Sequence, residues 1–188
     1  MGILLGSSQT QSDTWLNRYF PEDLPADWRY SYYVNDYPVI LFDDRGRDSG
    51  SYSIEFDWPA ELKLVVQPDA ASAQNNDYID SLLLLVNTHP QLLFLHQEIA
   101  VCEQFQDLGV GCQPWAEVDS GDSVYTADDQ SAFFQIHSLH DPGGDLRALR
   151  RRFEGIEQEA VESWVFLDST PERLEQIKVM LDLMGIRA

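Results

Sequence analysis

Apolar residues in this chain fall into two alternating patterns. The first is a set of short, continuous runs bounded by polar or turn-forming residues: Ile3–Leu5, Pro38–Phe42, Leu62–Gln67, Leu92–His96, Val110–Gln113, Ala132–His137 and Trp164–Asp168. Such runs predict strands buried on both faces. The second pattern is helical. Asn76 or Asp77 caps a helix that extends to about Val86, short of Pro90. A helix from about Gln97 to Leu108 carries Ile99, Val101, Phe105 and Leu108, and Gly109 ends it. Asp145 caps a helix whose apolar positions Leu146, Leu149, Phe153, Ile156 and Ala160 recur at helical spacing. Ser169-Thr170-Pro171-Glu172 is a helix start: either Ser169 and Glu172 form a capping box, or Thr170 caps with Pro171 in the first position. Leu174, Ile177, Leu181 and Met184 then form a buried stripe, closed by Gly185. Strands alternating with helices predict a mostly parallel sheet covered by helices, with about seven strands. A compact, incomplete α/β barrel and an open doubly wound sheet both fit.

The pattern breaks between the first two strands. Trp15 to Phe42 is crowded with aromatic residues, punctuated by Pro21 and Pro25, and ends in the apolar run at Phe42. It reads as a lid-like loop with one short helix near Trp28, capped by Asp27, that delivers the chain into a buried strand. Asp43–Ser51 is loop-like, Tyr52–Phe56 alternates like a short edge strand, and the acidic stretch around Gly121 reads as another loop.

Composition narrows the class. The 188 residues are 44% hydrophobic and predict one α/β domain over 1–188. Twelve cations against 32 acids give a formal charge of −20. A surface so acidic repels phosphate backbones and anionic lipid, so neither nucleic acid nor membrane is an expected partner. Cys102 and Cys112 make neither a disulfide framework nor a metal motif, and buried, reduced thiols are expected. The N-terminal MGILLGSSQ has no basic leader, and the longest apolar run, Leu82–Val86, is too short to cross a bilayer. A cytoplasmic location is the expectation.

The order of motifs resembles that of the YecE-like family, known as domain of unknown function 72. The residues concerned are Gly6-Ser7, Trp15, Tyr19-Phe20-Pro21, Leu24-Pro25, Trp28 and Tyr32-Tyr33, with Phe94-Leu95-His96, Phe134 to Ser138 and Phe166 to Ser169 following in compatible order. The resemblance implies a TIM-barrel-like fold with a site at the C-terminal ends of the strands. This chain would be a divergent, shortened relative. Asp43-Asp44 stand where the family has an Asn-x-Thr-Phe-Tyr motif, and Leu95 and Gln135 replace its two strand-borne arginines. One β/α unit, between Leu62–Gln67 and Leu92–His96, is expected to be missing.

Sites in parallel α/β folds form at strand C-termini. His96, His137, Asp43 and Asp168 are therefore the candidates for acid–base chemistry or for holding a divalent metal ion. Alongside this small-molecule site stands a non-catalytic alternative, a degenerate barrel that binds a protein partner. Arg147, Arg150 and Arg151 lie in a cationic cluster suited to such a partner, although Arg150 also faces Glu154 one helical turn on. Trp15, Tyr19 and Trp28 are candidates for a substrate platform, against the simpler reading that they seal the barrel. His140, in a Pro- and Gly-containing segment, reads as part of a surface turn. An unclosed barrel would expose strand edges, which makes a homodimer an expected assembly.

Overall fold

The computed structural model describes residues 2–44, 58–89, 91–117, 122–129, 132–141, 144–159 and 162–186. Nine strands form one sheet among them. In chain order they are β1 (Gly2–Ser7), β2 (Val39–Asp43), β3 (Lys63–Gln67), β4 (Leu92–His96), β5 (Cys112–Pro114), β6 (Ala116–Glu117), β7 (Ser123–Asp129), β8 (Ala132–His140) and β9 (Glu162–Asp168). Across the sheet the order is β5-β4-β3-β2-β1-β9-β8-β7-β6. Neighbours from β5 through to β8 pair in parallel, while β7 is antiparallel to both β8 and β6.

This order bends the sheet into a nearly closed barrel. β5 and β6 are its two edge strands, yet only Trp115 separates them in the chain. Two residues span at most ~7 Å, so the two edges must come together. The free edges behind the expectation of a dimer therefore lie beside one another. The fold is the α/β, incomplete TIM-barrel-like architecture expected from the sequence, and the open doubly wound sheet is ruled out.

Two hydrophobic clusters mark the two faces of the curved sheet. Val39, Leu41, Val65, Leu95, Trp115, Ile136, Trp164 and Phe166 fill the interior. Ile3, Leu5, Ile40, Phe42, Leu64, Val66, Phe94, Val165 and Leu167 pack outward with the helices. Those helices are α1 (Asp13–Arg18), α2 (Arg29–Tyr33), α3 (Asn76–Thr88), α4 (Ile99–Asp107), α5 (Leu146–Glu159) and α6 (Pro171–Leu183). Their ends follow local chemistry. Asn75 caps α3, Asp145 accepts from the Arg147 N–H at the start of α5, and Thr170 caps α6 with Pro171 in its first turn. Gly109 and Gly185 take φ of 86° and 77° after α4 and α6, the left-handed geometry expected of them.

Several expectations change. The acidic stretch read as loop contributes β6 and β7, with β7 paired to β8 and β6 to β7, and β8 runs on to His140. Ser12 caps a helix, α1, where none was expected. The helix expected between β3 and β4 is present as α3, and the two strands are direct parallel neighbours. Tyr52–Phe56 lies outside the described residues. The aromatic stretch packs against the outer wall: Trp15, Tyr33 and Tyr37 are buried and in mutual ring contact. Tyr33 also enters the sheet itself. Its hydroxyl accepts from the Ser7 N–H and donates to the Val39 carbonyl, bridging β1 and β2 where their direct ladder is short. Gly6 makes this close approach feasible, because a Cβ there would collide with the Val39 carbonyl.

At the N-terminal end of the barrel, Lys63 Nζ lies 2.6 Å from Glu162 Oε1, and the Trp164 indole N–H donates to the same oxygen at 2.7 Å. Burial opposes ionisation of Glu162, but these two donors outweigh it and hold the carboxyl below its usual range. Lys63 also sits over the Trp164 ring. These three side chains thus satisfy one another at this end.

Candidate functional site

Register decides which strand-end residues look into the barrel. Asp43 follows Val39 and Leu41 by strand alternation and so lies on the interior face, as does its partner Gln67 after Val65. Asp168 follows Trp164 and Phe166 and is likewise interior. Its partner across the β8–β9 ladder is His140. Their side chains meet, with His140 Nδ1 3.2 Å from Asp168 Oδ2, both about half exposed.

The same alternation sends two expected site residues the other way. His137 pairs with Val165, an outer-face residue, and is buried beneath the helices. Its Nε2 lies 3.0 Å from Gln135 Oε1, and burial lowers its pKa to about 4. His96 shares the face of Phe94, is buried, and accepts the Glu98 N–H on Nδ1 at 3.0 Å. That bond satisfies a backbone donor where α4 begins. His96, His137 and Asp168 therefore do not converge in one concave site.

The other candidates scatter. Trp15 is fully buried and its indole N–H donates to the Ser169 carbonyl at 2.8 Å. Tyr19 is partly buried and donates to Asp36 Oδ2; burial, reinforced by that carboxylate, raises its phenol pKa. Trp28 is 62% exposed. Arg147, Arg150 and Arg151 lie on the exposed face of α5, where Arg150 Nε bonds Glu154 Oε1 at 2.9 Å. Arg152 instead pairs with Asp122.

A cleft of about 590 Å³ opens beside His140 and Asp168 and reaches across the β9–α6 turn to α1. Residues bearing amide, hydroxyl and carboxylate groups line it, among them Gln9, Ser12, Thr170, Glu172 and Gln176. Asp141, also lining it, is buried and clamped by Arg173, whose Nε is 2.7 Å from Oδ2 and Nη2 3.3 Å from Oδ1. Nη2 also donates to the Gly144 carbonyl. Arg173 is thus committed to holding the end of β8 against α6. Glu172 accepts hydrogen bonds from its own backbone N–H and from the Thr170 hydroxyl, which keep its carboxyl below the usual range.

Sequence reasoning missed His140, because β8 was ended too soon. The signal was present: His137 and His140 are three apart, so on one strand they must face opposite ways. Among the described residues, no group of three or more His, Cys, Asp and Glu could hold a metal ion. The His140–Asp168 pair does not by itself complete a divalent-metal ligand set. No described helix is long and apolar enough to cross a membrane. Comparison with family models, curated proteins and solved structures finds no significant match.

Proposed function

We propose that this protein binds a small polar molecule at the C-terminal mouth of its barrel and moves a proton there through His140. The observation that carries this reading is the 3.2 Å contact between His140 Nδ1 and Asp168 Oδ2 at the rim of the cleft. A carboxylate that accepts from Nδ1–H fixes the imidazole tautomer and leaves Nε2 with a lone pair facing outward. Such a nitrogen can take a proton from a ligand hydroxyl or an acidic C–H, and Asp168 steadies the imidazolium that results. Asp43, on the interior face of the same mouth, supplies a second acceptor. The contrast between the two barrel ends supports the assignment: Lys63, Glu162 and Trp164 bond to one another at the N-terminal end, whereas polar residues line the cleft at the ends of β8 and β9.

His140 and Asp168 are both half exposed, so replacing them should leave folding intact. A 15N-labelled chain titrated with pooled polar metabolites should show shifts clustered at residues 138–141 and 168–173. His140→Ala should remove them without lowering the melting temperature. Shifts confined to another surface, or unchanged in His140→Ala, would sink the proposal.

One observation favours the protein-partner reading. Arg147, Arg150 and Arg151 are exposed on one helix of a chain whose formal charge is −20. An acidic partner would be drawn to that face, with a salt-sensitive on-rate. Binding lost on charge reversal at Arg147 and Arg151, but retained in His140→Ala, would support it over the small-molecule reading.

A further inference from the structure

We propose that Cys102 and Cys112 form a dithiol that a hydroperoxide converts to an intramolecular disulfide, stapling α4 to the edge strand β5. None of the residues lining the cleft belongs to either element, so this site is independent of what His140 binds.

The chain has only two cysteines, and the fold brings both to one point. Cys102 lies within α4, and Cys112 is the first residue of β5. The two residues are 1% and 0% exposed, with their sulfurs 3.3 Å apart. A disulfide needs the sulfurs about 2 Å apart, a gap of the size that side-chain rotation covers.

Their hydrogen bonds give the two thiols different roles. The Cys112 thiol donates to Cys102 Sγ, and the Cys102 thiol donates to the His96 carbonyl at 3.7 Å. Burial raises the Cys112 thiol pKa, and the hydrogen bond to Cys102 adds to that effect. Cys112 therefore keeps its proton and directs it at Cys102, where it steadies negative charge on that sulfur. Cys102 is the sulfur that attacks.

The chemistry balances with the peroxide as sole co-reactant. Cys102 Sγ attacks one peroxide oxygen: the S–O bond forms, the O–O bond breaks, and the thiol proton leaves on the other oxygen. Cys112 Sγ then attacks the sulfenic sulfur. The S–S bond forms as the S–O bond breaks, and the Cys112 proton departs with that oxygen as water. The two sulfurs together lose one electron pair, which the peroxide gains. Hydrogen peroxide is small and uncharged, so brief local openings of α4 that exclude a bulky aromatic reagent suffice for it.

The staple acts where little else holds the barrel. β5 has three residues and a ladder on one side only, to β4. α4 already reaches over it, with Gln106 Nε2 donating to the Cys112 carbonyl at 2.6 Å. Cys102 and Cys112 are ten residues apart in the chain. Closing a loop of that size shifts the folding equilibrium toward the native state by about a hundredfold.

Mass spectrometry of the full chain tests this after hydrogen peroxide, a catalase quench and alkylation in denaturant. The expected product is a monomer with no alkylated thiol and with Cys102 and Cys112 in one linked peptide. Dithiothreitol should restore both thiols. In the oxidised chain the Cys112, Gln113 and Trp115 amides should exchange more slowly, β9 should be unchanged, and the unfolding midpoint should rise. Cys112→Ala should leave Cys102 as a dimedone-reactive sulfenic acid and show neither change on oxidation; Cys112→Val gives a second shape should alanine fail to fold. Two alkylatable thiols after peroxide, in a chain whose α4 amides exchange over the same period, would overturn the proposal. So would a disulfide between chains, or a linked chain whose β5 amides exchange as fast as before.

Discussion

His137 should make this protein sensitive to mild acid, and the size of the effect can be worked from its surroundings. The ring is 6% exposed on the outer face of β8, bonded to Gln135, and burial lowers its pKa from 6.5 to about 4. An unfolded chain takes up the proton as the pH falls through 6.5, whereas the native chain refuses it until about pH 4. The unfolded state thus binds more protons throughout that window. Stability is intact above it and eroded as the pH drops within it. For one such group the loss between pH 7 and pH 5 is about 2 kcal/mol, close to a thirtyfold shift toward the unfolded state. The many carboxylates titrate too, and relief of their repulsion acts in the opposite direction. Urea unfolding of wild type and His137→Asn across pH 5 to 7 cancels that shared background. The wild type should lose about 2 kcal/mol more than the variant over this range. Parallel stability curves would refute the reasoning, as would an imidazole resonance of His137 titrating near pH 6.5.

Three further outcomes follow from buried polar contacts. Tyr33→Phe keeps the ring but strands the Ser7 N–H and the Val39 carbonyl; urea unfolding should show a loss of about 1–3 kcal/mol, and a neutral result would mean the hydroxyl does not join β1 to β2. Arg173→Ala leaves the Asp141 carboxylate buried and unpaired from its fork, at a cost of about 3–5 kcal/mol; the double variant Arg173→Leu with Asp141→Leu should recover much of it, and an unperturbed melting temperature in the single variant would contradict the clamp. Cys102 and Cys112 are buried with sulfurs 3.3 Å apart, and burial raises the Cys112 thiol pKa; both should resist an aromatic disulfide reagent in the native state and react together in denaturant, so rapid native labelling would show that the α4–β5 packing is looser than described.

Helix ends were legible because their causes are local. Gly109, Gly185, Asp145 and Thr170 act within a turn of their own positions, and each does what its type predicts. The inner strands were legible because burial on both faces leaves no polar alternation to misread. β6 and β7 were not. They are polar, antiparallel and at one edge, and pairing of β7 to β8 and of β6 to β7 makes them strands. The site was half legible for a related reason. That strand C-termini would carry it follows from fold class, and Asp43 and Asp168 do reach the interior face. Which histidine faces inward depends on register, since a shift of one residue exchanges the two faces. The pairing of Gln135 with Ser163 and of Ile136 with Trp164 sets that register, and it buries His137 while delivering His140 to Asp168.

The aromatic stretch takes on a different role in this light. Its sequence suggested a lid, but Trp15, Tyr33 and Tyr37 sit outside the barrel wall with no face toward the mouth. Two of them nonetheless act on the strands that form the mouth. Tyr33 fixes the spacing of β1 and β2 through its hydroxyl, and Trp15 holds the Ser169 carbonyl, one residue beyond Asp168. Asp168 is therefore gripped from both sides: by the β8 ladder that brings His140 to it, and by a turn pinned from behind by an indole. A carboxylate that must orient an imidazole benefits from that rigidity, because a small displacement forfeits the hydrogen bond that fixes the tautomer. The aromatic stretch thus contributes to the candidate site by positioning its backbone, and the proposal leaves the contacts to a ligand to the polar strand ends.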